Sequence, residues 1–239
     1  VRRTPYEGLV LQNKDIVFTE EQQKAIDFLE KSTGTTLVHG VTGSGKTEIY
    51  MRLISDALKE NKTAIMLVPE ISLTPQMLGL FRARFGDNVG LIHSGMSDGE
   101  RFDEWLRLLT GEAKVALGAR SAIFAPLKNV GVIIIDEEHD GSYVSESNPR
   151  YFTRDVAEFR AKYNGAKLIL GSATPSLNTY KEAKDGLINL VTLNKRANNF
   201  PLPDMEVVDM RREIRAGNNG IFSRDRKSTR LNSSHPSRS

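Results

Sequence analysis

"LVHGVTGSGKTEIY", residues 37–50, decides the fold. Gly40, Gly45, Lys46 and Thr47 satisfy the pattern G-x-x-x-x-G-K-[ST], with Val41, Thr42, Gly43 and Ser44 completing the loop. Glycines let the backbone curl until successive N–H groups converge on phosphate oxygens, and the next helix N-terminus adds partial positive charge. Lys46 is the candidate to neutralise β- and γ-phosphates, and Thr47 the candidate Mg²⁺ ligand. An apolar strand pattern enters the loop. Ile49, Leu53, Ile54, Ala57 and Leu58 leave it at helical spacing. An ordinary glycine-rich turn has no such context. The expected ligand is ATP with Mg²⁺.

Outward from the loop, strands and helices alternate. "TTLVHG" (35–40), "TAIMLVP" (63–69), "VGLIHS" (89–94), "AKVALGA" (113–119), "VGVIIIDE" (130–137) and "AKLILGS" (166–172) read as strands. Most are continuous apolar runs, as expected of parallel strands buried on both faces. Phe102, Trp105, Leu106 and Leu109 mark one intervening helix face, and Val156, Phe159, Arg160 and Tyr163 another that begins at Thr153. "INLVTLN" and "DMEVVDM" read as two further strands, with "KRANNFPLP" a loop between them. The expectation is an α/β domain with a mostly parallel sheet covered by helices on both faces, binding ligand beyond the carboxyl ends of its strands.

"VIIIDEEHD" runs four apolar residues straight into Asp136, placing carboxylates at a strand's C-terminal edge. In a phosphate-loop protein this is the second Mg²⁺ position. Asp136 would hold the metal through water, and Glu137 would orient or deprotonate the attacking water. The competing reading is a solvated acidic turn.

Composition bounds the rest. The chain has 239 residues, 39% hydrophobic and 26% charged, enough for one large or two small globular domains. No apolar run reaches the roughly 18 residues of a membrane span, and the N-terminus has no apolar signal core. Cysteine is absent, excluding disulfides and Cys-based metal sites. A cytoplasmic location follows as the default expectation. The first residue is Val, so a chain cut at its front is expected. "DRKSTRLNSSH", residues 225–235, is the in-frame translation of a common sequencing-library adapter. Residues 225–239 are therefore expected to be foreign and disordered; the alternative is a natural basic tail. This tail holds the whole +3 net charge, so residues 1–224 are neutral and overall charge does not argue for nucleic acid.

Asp136-Glu137-Glu138-His139 resembles the DEAH-type box of superfamily 2 helicases. "GSATPS" (171–176) resembles the Ser-Ala-Thr motif of the same motors. "LVPEISLTPQ" (67–76) and "GARSAIFAP" (118–126) are similar to their motifs that hold single-strand phosphates. "SYVSESNPRYFTRDVA" and "VDMRREIRAGNNGIFS" narrow the resemblance to the bacterial replication-restart helicases, over roughly residues 5–223.

The resemblance implies a RecA-like ATP-binding lobe at 15–200, preceded by a linker at 1–14 and followed by the start of a connection to a second lobe at 201–224. It implies coupling by His139, Ser172 and Thr174, and an adenine-reading Gln22. Thr19-x-x-Gln22 is also a capping box, and His139 as a core or capping residue stays open. Arg120, Ser121, Arg150 and Arg154 are implied phosphate contacts. Tyr143, Tyr151 and Phe152 are implied base-stacking faces in an aromatic loop that links DNA to ATP hydrolysis. By composition alone, Tyr151 and Phe152 read more readily as core packing, and the resemblance reverses that preference for the loop as a unit.

The family further implies 3′→5′ unwinding of forked DNA, and work with primosome proteins and single-stranded-DNA-binding protein near the nucleoid. It implies zinc, whose ligands are absent from this chain, and a second lobe without which this lobe is expected to be inactive. A different duplex translocase, or a non-hydrolysing phosphate-loop scaffold, are the alternatives.

Overall fold

The structure is a computed structural model and describes residues 17–146, 148–197, 208–215 and 217. Within residues 17–197, seven parallel strands form one sheet. These are β1 (Thr35–Gly40), β2 (Thr63–Leu67), β3 (Val89–Ile92), β4 (Val115–Gly118), β5 (Val130–Ile135), β8 (Lys167–Ser172) and β9 (Asn189–Leu193). Their order across the sheet is β3-β4-β2-β5-β8-β1-β9. Two short antiparallel strands, β6 (Val144–Ser145) and β7 (Tyr151–Phe152), stand apart as a hairpin.

Alternation along the strands divides the interior into two cores, one on each face. Ala64 and Met66 of β2, with Val132 and Ile134 of β5, join Ile49, Leu53 and Ile54 of α2 (Lys46–Lys59) and Phe81 of α3 (Pro75–Phe85). Ile65, Leu67, Ile133 and Ile135 join Ala157 and Ala161 of α5 (Thr153–Asn164) and Ala183 of α6 (Leu177–Lys184). Continuous apolar strands are required by such a two-sided core. Helix α1 (Glu20–Lys31) carries the capping box expected at Thr19 and Gln22.

Two helices turn differently from their apolar periodicity. In α4 (Asp98–Thr110), Phe102, Trp105, Leu106 and Leu109 face outward, and Leu108 alone is buried. The cause lies in β3, an edge strand with unpaired backbone groups. Glu104 accepts from Leu91 N at 3.1 Å, and Arg107 donates to Val89 O at 3.5 Å and Asp87 O at 2.5 Å. The Glu104–Arg107 pair must face the sheet edge, so the apolar stripe faces away. In α5 the inward face is Thr153, Ala157 and Ala161, while Phe159 and Tyr163 are exposed. Arg160 is drawn inward because its guanidinium donates to Ala125 O at 2.6 Å and Leu127 O at 3.1 Å.

Residues 208–217 belong to a separate unit. The strand expected over "DMEVVDM" falls partly outside the described residues. Where it is described, Met210 begins a helix, α7 (Met210–Arg215). The linker expected at 1–14 and the tail at 225–239 lie outside the described residues.

Candidate nucleotide site and nucleic-acid face

The C-terminal ends of β1, β5 and β8 bring the phosphate loop, the acidic box and the Ser-Ala-Thr turn together. Loop 40–45 curls between β1 and α2, with Gly43 and Gly45 at φ +80° and +81°. A side chain at Gly45 would place Cβ 2.2 Å from Gln22 Nε2. Neighbouring chain walls the loop: Val41 N donates to Leu193 O at 3.2 Å and Ala197 N to Gly43 O at 2.9 Å. Glu21 fixes that wall by accepting from Asn194 N and Lys195 N, both at 3.1 Å.

Gln22 is buried, with both amide ends engaged. Its Oε1 accepts from Thr19 N and its Nε2 donates to Ser44 O, each at 2.9 Å. In this geometry Gln22 braces the phosphate loop as well as capping α1. Lys46 Nζ donates to Gly40 O at 2.8 Å and lies 3.9 Å from Glu137.

Asp136 is partly buried behind the loop. Its Oδ1 accepts from the Tyr50 hydroxyl at 3.1 Å, and its carbonyl accepts from the Tyr143 hydroxyl at 2.7 Å. Burial, with the neighbouring Glu137 charge, pushes the Asp136 carboxyl up to about 6. Burial likewise pushes the Tyr50 phenol far up, so it remains a donor. Glu137 has φ +47°, a left-handed conformation costly for a residue with a side chain. That strained position puts its carboxylate 3.7 Å from His139 Nδ1.

His139 reaches the next motif, with Nδ1 2.8 Å from Ser172 Oγ and Nε2 3.4 Å from Thr174 Oγ1. The three residues expected to couple are thus in contact.

The residues fit an Mg²⁺–nucleotide complex. Ser44 Oγ is buried in the loop without a hydrogen-bond partner among the described residues, which suits a phosphate oxygen. No group of three or more acidic, His or Cys side chains able to cage a metal occurs among the described residues. Mg²⁺ typically takes one or two carboxylates with substrate phosphates and water. Thr47 and Asp136 offer that kind of donor set.

The nucleic-acid candidates divide. Ser121, Arg150 and Phe152 are exposed. Tyr151 is partly buried, its ring edge-on to Phe124 at 5.1 Å, with Arg120 5.9 Å over its face. Arg120 also donates to the carbonyls of Ser142 and Val144, fastening the 118–126 segment to the aromatic loop.

Two residues depart from expectation. Tyr143 is buried, with no face open to a base, because its hydroxyl serves the Asp136 carbonyl. Arg154 is held by Glu158 at 2.8 Å, by Thr179 at 2.9 Å and by Glu182. The sequence reading missed Phe124, about half exposed beside Tyr151. It also missed Tyr50, hidden among apolar helix positions, and Glu138, whose role requires contacts distant in sequence.

This site defines a phosphate-loop domain with an acidic box and a contacting Ser-Ala-Thr turn. The model of the DEAD/DEAH box helicase family matches residues 19–183, and the chain belongs to that family. It is similar to the replication restart protein PriA of Bacillus subtilis (strain 168), 46% identical over 229 residues, covering 93% of this chain and 28% of that protein. PriA of Synechocystis sp. is 48% identical over 193 residues, covering 79% and 23%. The chain therefore spans less than a third of these relatives' length. Among solved structures, RecG bound to a three-way DNA junction has a TM-score of 0.58 at 22% identity, covering 85% of this chain and 27% of that one. The DEAD-box helicase Mss116 bound to ssRNA and UDP-BeF has a TM-score of 0.52 at 15% identity, covering 74% and 40%. These two likenesses carry the fold alone.

Proposed function

We propose that the chain is the ATP-binding lobe of a replication-restart DNA helicase of the PriA type. The parent protein would translocate 3′→5′ on single-stranded DNA, unwind forked DNA and start primosome assembly with single-stranded-DNA-binding protein and other primosome proteins. Its place would be the cytoplasm, at the nucleoid. The observation that carries the reading is the contact of His139 with Ser172 and Thr174, which joins the acidic box to the turn after β8.

In this reading, residues 40–47 cradle the triphosphate and Lys46 leaves Gly40 O to meet its outer phosphates. Mg²⁺, when bound, neutralises phosphate charge. Asp136 and Thr47 would hold it, and Glu137 would orient or deprotonate the attacking water. Gln22 also reads adenine in this proposal, its Nε2 exchanging Ser44 O for the base.

We also propose 15–200 as the lobe, 1–14 as a linker and 201–224 as the start of a connection to a second lobe. Arginine fingers from such a lobe are worth about 10³ to 10⁵ in rate, so this chain alone should turn over ATP negligibly. Zinc would bind elsewhere in the parent. The test is titration of the purified chain with a fluorescent ATP analogue, with and without Mg²⁺, followed by an ATPase assay. The reading expects Mg²⁺-dependent binding abolished by K46A, and turnover near background. Binding indifferent to K46A overturns the nucleotide site, and brisk DNA-stimulated turnover overturns the half-motor reading.

A further inference from the structure

The aromatic loop and the acidic box meet at two partly buried points. At the first, Tyr143 donates to the Asp136 carbonyl, while Thr153 Oγ1 donates to the Tyr143 carbonyl at 2.7 Å and closes the loop's base. At the second, Glu138 reaches away from the nucleotide. Its Oε1 accepts from Ser176 N at 2.7 Å, and its Oε2 accepts from Thr179 Oγ1 at 3.0 Å. Thr179 is fully buried, and its hydroxyl accepts in turn from Arg154 at 2.9 Å and Ser176 Oγ at 2.9 Å. Arg154 stands two residues beyond exposed Phe152.

We propose that Glu138, Thr179 and Arg154 form a positioning relay that carries displacement of the aromatic loop into the acidic box, with Thr179 as its hinge pin. The inference rests on the nucleotide and single-strand reading given above, and it assigns that site's regulation to residues outside the chemistry. Glu138 lies between the candidate base Glu137 and the coupling residue His139. Whatever moves Glu138 moves both.

Leaving the buried Thr179 hydroxyl unpaired is costly, so it and its two partners shift together. A phosphate-binding Arg154 would first have to leave Thr179, Glu158 and Glu182. The relay therefore replaces the phosphate role for this residue.

The test uses the 239-residue chain, fluorescein-labelled oligo-dT and a non-hydrolysable ATP analogue with Mg²⁺. The quantity read is the factor by which saturating analogue changes oligo-dT affinity, which is reciprocal for the two ligands. Wild type should show a factor of roughly fivefold or more, the lower range of allosteric coupling. T179V, which keeps side-chain size but removes the hydroxyl, should bring the factor within about twofold of one. T179S should retain it. R154M should match T179V, and the double variant should lose nothing further. Each separate affinity should stay close to wild type.

Amide hydrogen exchange gives a second readout independent of DNA. Residues 143–146 and 150–153 should exchange faster in T179V than in T179S. A wild-type factor retained in T179V, a wild-type factor of one with both ligands bound, or unchanged exchange overturns the relay. Weaker oligo-dT binding by R154M, with a salt slope lowered by about one, restores Arg154 as a phosphate ligand and also overturns it. Failure of wild type to bind Mg²⁺–nucleotide or oligo-dT is a separate result, which removes the underlying reading and the relay with it.

Discussion

The Tyr50 hydroxyl donates to Asp136 Oδ1 from the same helix that presents Thr47 one turn earlier. One helix thus carries a candidate metal ligand and the brace for another. Gly171 makes room for the brace, since a Cβ there would lie 1.7 Å from the Tyr50 oxygen. Removing the hydroxyl leaves a partly buried carboxylate short of a donor. Y50F should cost about 1–3 kcal/mol of stability at pH 8, measured by urea denaturation. It should also raise the Mg²⁺ concentration needed for nucleotide binding. A neutral effect on both would mean that water replaces the phenol.

The elevated Asp136 carboxyl sets a pH dependence. Its folded value of about 6 exceeds the ordinary 3.8, so the folded state holds a proton that the unfolded state has released. Stability from this group is present below about pH 4 and is lost as pH rises through about 6. D136N keeps an acceptor for Tyr50 and cannot ionise. In metal-free buffer, its stability relative to wild type should grow between pH 4 and 6 and level off above, by about 3 kcal/mol. Denaturation at half-unit pH steps checks this, and a flat difference would place the titration elsewhere.

In the proposed reading, Glu137 and Lys46 separate chemistry from binding. In a chain completed by a second lobe, E137Q should bind Mg²⁺–nucleotide within about threefold of wild type while losing hydrolysis by 10² or more, the scale of a lost general base. Equal hydrolysis by E137Q would remove Glu137 from the reaction and favour a scaffold.

The aromatic face should discriminate between its members. F124A and F152A should each weaken oligo-dT binding by about 1–3 kcal/mol, the worth of a stacked base. Y143F keeps the buried ring and should leave that affinity unchanged while loosening the Asp136 backbone. Fluorescence anisotropy measures the first effect and hydrogen exchange at 136–139 the second. Loss of affinity in Y143F alone would return Tyr143 to the contact surface.

Most strands of the main sheet were legible in sequence because two-sided burial writes itself as unbroken apolar runs, as in Val132–Ile135. The phosphate loop and acidic box were legible because backbone curvature and phosphate charge restrict residue type at fixed spacing. The outward stripe of α4 was not legible. Its orientation follows from Glu104 and Arg107 meeting the β3 edge, and periodicity weighs apolar residues without asking which backbone groups lack partners. Tyr143 and Arg154 misled for a related reason: aromatic and cationic side chains suit nucleic acid, but these two are used by Asp136 and by Thr179 with Glu182. Phe124 was passed over because it lies in an apolar segment whose other members, Ala122 and Ile123, are core.

The sheet order has a consequence for how the chain is made. Strand β1, which feeds the phosphate loop, lies between β8 and β9, with Leu37 opposite Leu170 and Leu190. Its neighbours are the last two strands of the sheet to leave the ribosome. Until residue 193 has emerged, β1 has an unpaired edge and the loop lacks its Leu193 wall. The candidate nucleotide site is therefore completed only after the last strand of the sheet is made, although its signature precedes six of the seven strands it depends on.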